Sequence, residues 1–310
     1  MDWLKPKRLE PGMTLGFLAP ASSTDEDLEK IAHLAKARGY DSIFGRTCYG
    51  KGLYGGTAEE QADEFNDFMT NDTCHAVIAL RGGYGCARYV DLLDFKGIRK
   101  HSKPFVGYSD CTALHLALNR HSHLITYHGP MGVDWVKADR TKDVNRLFDL
   151  LEGRTAVIEP LPAPPRGYIG AQMREGRLLG GNLAILCSLG GTPYVPTAAM
   201  WKDAILFIED VGEPPYKIDR MLQQLRLQGV LKAVKGAIIG NFIDCDGDEG
   251  DPPYDIGEKV LEYMEKDRQP EEEEPFVCYA PTGHGTPHWA LPLGQYISFR
   301  AISNTLVLVP

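Results

Sequence analysis

The chain has 310 residues and a formal net charge of −9, with 43% hydrophobic and 24% charged residues. That length suits two domains or one large α/β domain, with enough apolar residues for a core of normal size. The acidic balance excludes the usual nucleic-acid binder, because phosphate recognition rests on clustered Lys and Arg.

In the first half, short β-branched or apolar runs alternate with helical patterns. Thr14–Ala19 reads as a strand ending in Ala-Pro-Ala-Ser-Ser, and Asp25–Arg38 carries Leu28, Ile31, Leu34 and Ala35 at helical spacing. Asp41–Phe44 is a second strand, Thr57–Met69 an amphipathic helix and His75–Leu80 a third strand. Ala87–Leu93 follows as a short helix, Pro104–Gly107 as a strand and Cys111–Asn119 as a helix. Such alternation predicts a parallel sheet with helices on both faces. The run PLPAPP at 160–165 reads as a stiff extended connector, so the domains are placed at 1–155 and 171–310, joined by a linker over 156–170.

The second half predicts an uncharged helix at Leu183–Leu189, a strand at Ala204–Ile208, and a helix bearing Ile218, Met221, Leu222 and Leu225. Strands are expected again at Ala237–Phe242, Phe276–Cys278, Gln295–Arg300 and Thr305–Val309. This half is read as a smaller α+β, β-rich unit of the small-barrel or swivelling type. Leu178–Trp201 carries no charge, but Gly180, Gly181, Gly190, Gly191, Pro193 and Pro196 break it too often for a lipid-facing helix. It reads as a buried helix and a turn, and no membrane partner is expected.

The seven cysteines (Cys48, Cys74, Cys86, Cys111, Cys187, Cys245 and Cys278) are odd in number, widely spaced and include no C-x-x-C pair. They read as reduced thiols. No apolar run with a small-residue cleavage site opens the chain, so a cytoplasmic protein is expected.

Three local patterns carry possible chemistry. Phe105-Val106-Gly107-Tyr108-Ser109-Asp110 is a strand running into a sharp turn before a helix, a placement that exposes a serine Oγ beside free helical N–H groups. A plain helix N-cap is the ordinary alternative, since Cys111 stands where G-x-S-x-G has its second glycine. Leu80-Arg81-Gly82-Gly83-Tyr84-Gly85 also ends a parallel strand, and its glycines let backbone N–H groups approach a ligand closely. It fits neither G-x-G-x-x-G nor a P-loop, and a plain tight turn is the alternative. Finally, Glu209 ends the strand Ala204–Ile208, while His284 lies in a loop, Pro281–Gly285. A carboxylate and an imidazole on separate loops can orient one another toward a serine; a surface ion pair and an ordinary loop histidine are the alternatives.

With these segments in view, the chain resembles the LD-carboxypeptidases, a family of serine peptidases that includes murein tetrapeptide carboxypeptidases and microcin C immunity peptidases. The resemblance runs through LEPGMTLGFLAP (9–20), RGGYGCAR (81–88), GYSDCT (107–112) and HGPM (128–131). It continues through GGNLAILCSLGGTP (180–193), IEDVGEPPYKIDR (208–220) and GHGTPHWALPLG (283–294). It implies a flavodoxin-like N-terminal domain carrying the nucleophile and a C-terminal domain carrying the acid and base. It also implies a homodimer, with Ser109 as nucleophile, Glu209 as orienting acid, His284 as base, and backbone N–H groups of Gly83 and Asp110 as the oxyanion hole. The expected activity is release of the terminal D-Ala from murein tetrapeptide in cell-wall recycling. Cleavage of a peptidyl or aminoacyl nucleotide is the alternative within the family, which Trp289 would serve by stacking. A non-catalytic ligand-binding protein and an enzyme using Cys111 are alternatives from other classes.

Two departures from the family pattern, Gln61 and His288, are expected to alter substrate contacts. Asp244, Asp246 and Asp248 imitate the start of a calcium loop, but Glu249 and Asp255 stand where Gly and Glu are needed, so Asp244–Pro275 is read as a solvated acidic loop. His121, His123 and His128 lack a ligand motif, and the proline and glycine between His284 and His288 exclude a shared helix face. No metal or cofactor is expected.

Overall fold

The computed structural model describes residues 2–155, 157–158, 165–167, 173–247, 254–269, 271–300 and 303–309. The expected proline-rich connector lies largely outside these residues, as does part of the acidic segment. The described strands are β1 (Thr14–Leu18), β2 (Asp41–Phe44), β3 (Ala76–Ala79), β4 (Phe105–Gly107), β5 (Thr126–His128), β6 (Val157–Ile158) and β7 (Arg166–Gly167). They continue as β8 (Met173–Asn182), β9 (Ala204–Val211), β10 (Gly236–Ile243), β11 (Phe276–Tyr279), β12 (Leu291–Leu293), β13 (Tyr296–Arg300) and β14 (Thr305–Leu308).

The first sheet has the order β12-β5-β4-β3-β1-β2. Strands β1 to β5 are parallel, in the flavodoxin-like arrangement, and β12 joins the edge antiparallel to β5. A strand from late in the chain thus completes the sheet of the first half. β1 and β3 are almost wholly apolar and buried, as a strand covered on both faces must be. Phe17 of β1 packs on Phe44 at 5.0 Å and on Trp135 at 5.3 Å, and each such ring contributes about 1.5–3 kcal/mol by leaving water. The helix Ala58–Thr70 begins with a full capping box between Thr57 and Glu60, so its first turn needs no help from the tertiary fold.

The second sheet has the order β6-β14-β13-β8-β9-β10-β11-β7, with β8 to β11 parallel and its flanks antiparallel. The molecule is therefore mixed α/β, a parallel-sheet N-terminal domain beside a separate curled sheet. Strand β8 was not expected: Leu178–Asn182 belongs to it, and the buried helix begins only at Leu183. Its first residues, Met173 to Arg177, alternate exposed or half-buried with more buried positions, a period-two pattern masked by three charges. The acidic segment is not simply a solvated loop. Ile256–Glu265 is a helix capped by Asp255, and it buries Val260, Tyr263 and Met264.

The halves meet where the helix Thr112–Ala117 touches the end of β8. Asn182 N–H donates to Thr112 Oγ1 at 2.9 Å. This contact brings the carboxyl end of β4 opposite the carboxyl end of β9.

Candidate active site

Ser109 lies two residues beyond β4, where the chain passes through a short 3-10 turn into the helix Thr112–Ala117. Its φ is +61°, a left-handed conformation that costs a non-glycine residue of order 1–3 kcal/mol and persists only where the surroundings enforce it. The effect is to raise the side chain out of the turn. Asp110 is buried, and its carboxylate accepts the N–H of Cys86 at 2.8 Å. That bond ties the serine turn to the glycine turn after β3.

The glycine turn closes over the serine. A Cβ on Gly82 would stand 3.0 Å from Ser109 Cβ, and one on Gly83, whose φ is +120°, would meet Ser22 Oγ at 2.3 Å. Only glycines allow this approach, and it brings main chain of the turn beside Ser109. Behind it, Gln61 donates to the carbonyls of Ala19 and Ala21 at 3.1 and 2.9 Å, and Ser22 N–H donates to Gly82 at 3.3 Å. Gln61 is 2% exposed. It braces the loop beneath the glycine turn instead of facing a substrate.

From the other half, Glu209 sits within β9, which runs on to Val211 rather than ending before it. His284 lies in the loop between β11 and β12. His284 Nε2 is 3.0 Å from Ser109 Oγ, and its Nδ1 is 2.7 Å from Glu209 Oε2. The structure thus places serine, imidazole and carboxylate in one hydrogen-bonded line across two sheets. A Cβ on Gly283 would fall 2.6 Å from Glu209 Oε2, so the loop can seat against the carboxylate only with glycine there.

The electrostatics follow from burial and pairing. Burial alone would push the Glu209 carboxyl up, but the facing His128 and His284 imidazoles bring it down to about 2. Burial likewise pulls His284 down, and the Glu209 carboxylate overrides it, leaving the imidazole raised above its ordinary value. The Glu209 side chain is wholly inaccessible while that of His284 is 18% exposed. The carboxylate is therefore shielded from solvent while the imidazole edge and the hydroxyl stay reachable.

Sequence reasoning passed over Arg140. Its guanidinium, from the first half of the chain, donates to the carbonyls of Gly285 and His284 at 2.5 and 3.2 Å and lies 3.5 Å from Asp143. It holds the histidine loop against the sheet that carries the serine. Tyr108 adds an edge contact to His284, ring centroids 5.1 Å apart. No local motif announces Arg140, and the turn that contains Tyr108 gives no sign of its contact with the histidine.

The remaining candidates fall outside the line. Cys111 is fully buried, with its Sγ packed against Gly107. His288 is fully buried as well, so it meets no substrate from solvent. Trp289 is half-buried, with the Arg146 guanidinium 4.4 Å above its ring. Among the described residues, no group of three or more His, Cys, Asp or Glu is arranged to hold a metal ion, and no helix is long and apolar enough to cross a membrane.

A serine on a strand-to-helix turn, facing an imidazole and carboxylate from a second sheet, marks a hydrolase of the two-domain α/β kind. Comparison with known proteins reaches the same class: family models for the LD-carboxypeptidase N-terminal and C-terminal domains match residues 15–129 and 175–299. The chain belongs to the LD-carboxypeptidase family of serine peptidases. It is 33% identical to a probable murein peptide carboxypeptidase of Bacillus subtilis, covering 98% of this chain and 94% of that protein. It is 31% identical to the murein tetrapeptide carboxypeptidase of Pseudomonas aeruginosa, with 91% of each chain covered. Among solved structures, the wild-type microcin C7 self-immunity protein MccF superposes with a TM-score of 0.85 at 21% identity, over 99% of this chain and 98% of that one. The muramoyltetrapeptide carboxypeptidase of Oxalobacter formigenes gives 0.74 at 27% identity, over 94% and 97%.

Proposed function

We propose that this protein is a serine L,D-carboxypeptidase that removes the terminal D-Ala from murein tetrapeptide in the cytoplasm. The continuous line Ser109–His284–Glu209 carries the reading, in a chain whose relatives include murein peptide carboxypeptidases. In this mechanism His284 Nε2 takes the proton of Ser109 as Oγ attacks the carbonyl of the L,D-peptide bond. Glu209 holds the proton on Nδ1 and stabilises the imidazolium. The developing oxyanion is met by backbone N–H groups of Gly83 and Asp110, typically the largest electrostatic contribution in acyl transfer. As the C–N bond breaks, His284 returns the proton to the amine of the departing D-Ala. Water, activated by the same imidazole, then hydrolyses the acyl-enzyme.

A serine, an imidazole and a carboxylate have no stereochemical preference of their own, so the choice of an L-centre on the acyl side belongs to the walls between the two sheets. Incubation with defined muropeptides, read by mass spectrometry, tests the proposal. Tetrapeptide should become tripeptide plus D-Ala, while a pentapeptide ending in D-Ala-D-Ala stays whole. Cleavage of an aminoacyl or peptidyl adenylate with tetrapeptide untouched would overturn the murein substrate and leave the serine chemistry standing.

A further inference from the structure

Glu209 is wholly buried, yet only one of its oxygens is paired: Oε2 faces His284 Nδ1, and Oε1 takes part in no hydrogen bond. A buried carboxylate with an open acceptor is costly, because nothing replaces the water it has lost. The imidazole of His128 faces that oxygen, with Nε2 at 3.8 Å from Oε1. His128 is also wholly buried, and neither ring nitrogen has a partner. Its place is set by the sheet: it ends β5, in register with Gly107 of β4, two residues before the serine. Its ring is held by Phe207 at 4.9 Å and His288 at 5.4 Å, with Tyr108 at 5.9 Å. A carboxylate can only accept, so the facing pair is attractive only if His128 carries its proton on Nε2. Burial keeps that imidazole below its ordinary range and hence neutral, with a single proton to place.

We propose that His128 is a positioning residue for the reaction, donating Nε2–H to Glu209 Oε1 and so fixing the carboxylate with Oε2 on His284. This rests on the serine mechanism proposed above. His128 touches neither substrate nor the reacting atoms; it acts through Glu209. With Oε1 held in this way, Oε2 stays aimed at Nδ1–H as His284 becomes imidazolium, so the contact is worth more in the transition state than in the resting enzyme. His128→Leu should therefore lower kcat about tenfold, the effect of roughly 1.4 kcal/mol, with KM nearly unchanged. His128→Gln, which keeps an N–H donor at comparable reach, should recover most of the loss.

The deciding measurement is a double-mutant cycle with Glu209→Gln, because a residue that acts through the carboxylate has little left to do once the carboxylate is gone. Loss from His128→Leu is expected in the wild-type background and near-absence of further loss beside Glu209→Gln. Equal loss in both backgrounds, or equal impairment of the Gln and Leu variants, overturns the proposal while leaving the serine mechanism intact. Full activity of Glu209→Gln itself overturns both. Nitrogen-15 spectra of the histidines in the unmodified protein give a test that needs no variant to fold: His128 should be protonated on Nε2, and protonation on Nδ1 sinks the idea.

Discussion

Ser109 stands at the end of a five-strand parallel run, lifted by its own backbone, whereas His284 lies in the Ala280–Ala290 loop and is held by groups distant in sequence. The serine turn is held within its own sheet: by the strand before it, the helix after it and the Asp110–Cys86 bond to the neighbouring glycine turn. The histidine loop depends on Arg140 from the first half and on Glu209 in β9, 75 residues away in sequence. One side of the site is thus set within a single sheet and the other by docking between distant parts of the chain. Substitutions on the two sides should differ in kind as well as in size.

The largest effect belongs to the serine side. Ser109→Ala should reduce turnover by on the order of 10⁴–10⁶ while leaving the melting profile nearly unchanged, since no packing is lost. Wild-type-like hydrolysis of muropeptide by the folded variant would end the serine mechanism. On the docked side, Glu209→Gln should lower kcat by at least about 10², because the shape is kept and the charge that stabilises imidazolium is lost. Glu213→Gln should be mild, as that carboxylate is half-buried and pairs with Lys217 at 3.3 Å. A reversal of these two results would place the acid elsewhere.

Arg140→Met tests the docking itself. Loss of its two bonds to the histidine loop should cost about tenfold in kcat through misplacement of the imidazole, with partial recovery when guanidinium is added to the assay. An unaffected kcat would mean that the loop holds its place without the clamp. The pH profile sharpens the comparison further. His284 must be neutral to accept a proton, and its value is raised, so the acid limb of kcat/KM should lie above the ordinary imidazole value of 6.5. Glu209→Gln removes the group that raises it and should move that limb to lower pH.

Stability should follow the opposite sign at the carboxylate. Glu209 is held at about 2 against an ordinary 4.5, so its contribution is present above the ordinary value and lost as pH falls toward 2. The smallest effect is expected from iodoacetamide. All seven cysteines are buried, and burial pushes the Cys86 thiol well up, so activity should persist. Rapid loss under native conditions would revive Cys111 as a participant.

The unequal legibility of the site has the same origin. Strand β4, the sharp turn and the following helix were readable because they are local: an apolar run, a glycine, a serine and a helical repeat lie within fifteen residues of one another. Glu209 and His284 were singled out only as members of a dispersed pattern with ordinary alternatives, and the family resemblance supplied their roles. Arg140 gave no signal, because a buried arginine bonded to two loop carbonyls looks in sequence like any surface arginine. Gln61 was misjudged for a related reason. Its place in the helix Ala58–Thr70 is plain, but burial turns its amide onto the Ala19 and Ala21 carbonyls.

The sequence by itself determined the alternation that yields a parallel sheet, the exposure of Ser109 at a strand end and the glycines that let main chain approach it. These depend on periodicity and on backbone freedom at single residues, which a chain carries wherever it goes. Only the tertiary structure decided that β12 completes the first sheet, that β8 docks on the helix behind the serine, and that His284 stands between Ser109 and Glu209. Those outcomes depend on which surfaces meet and which charges lose their water together, and such long-range pairings leave no spacing in the chain to read.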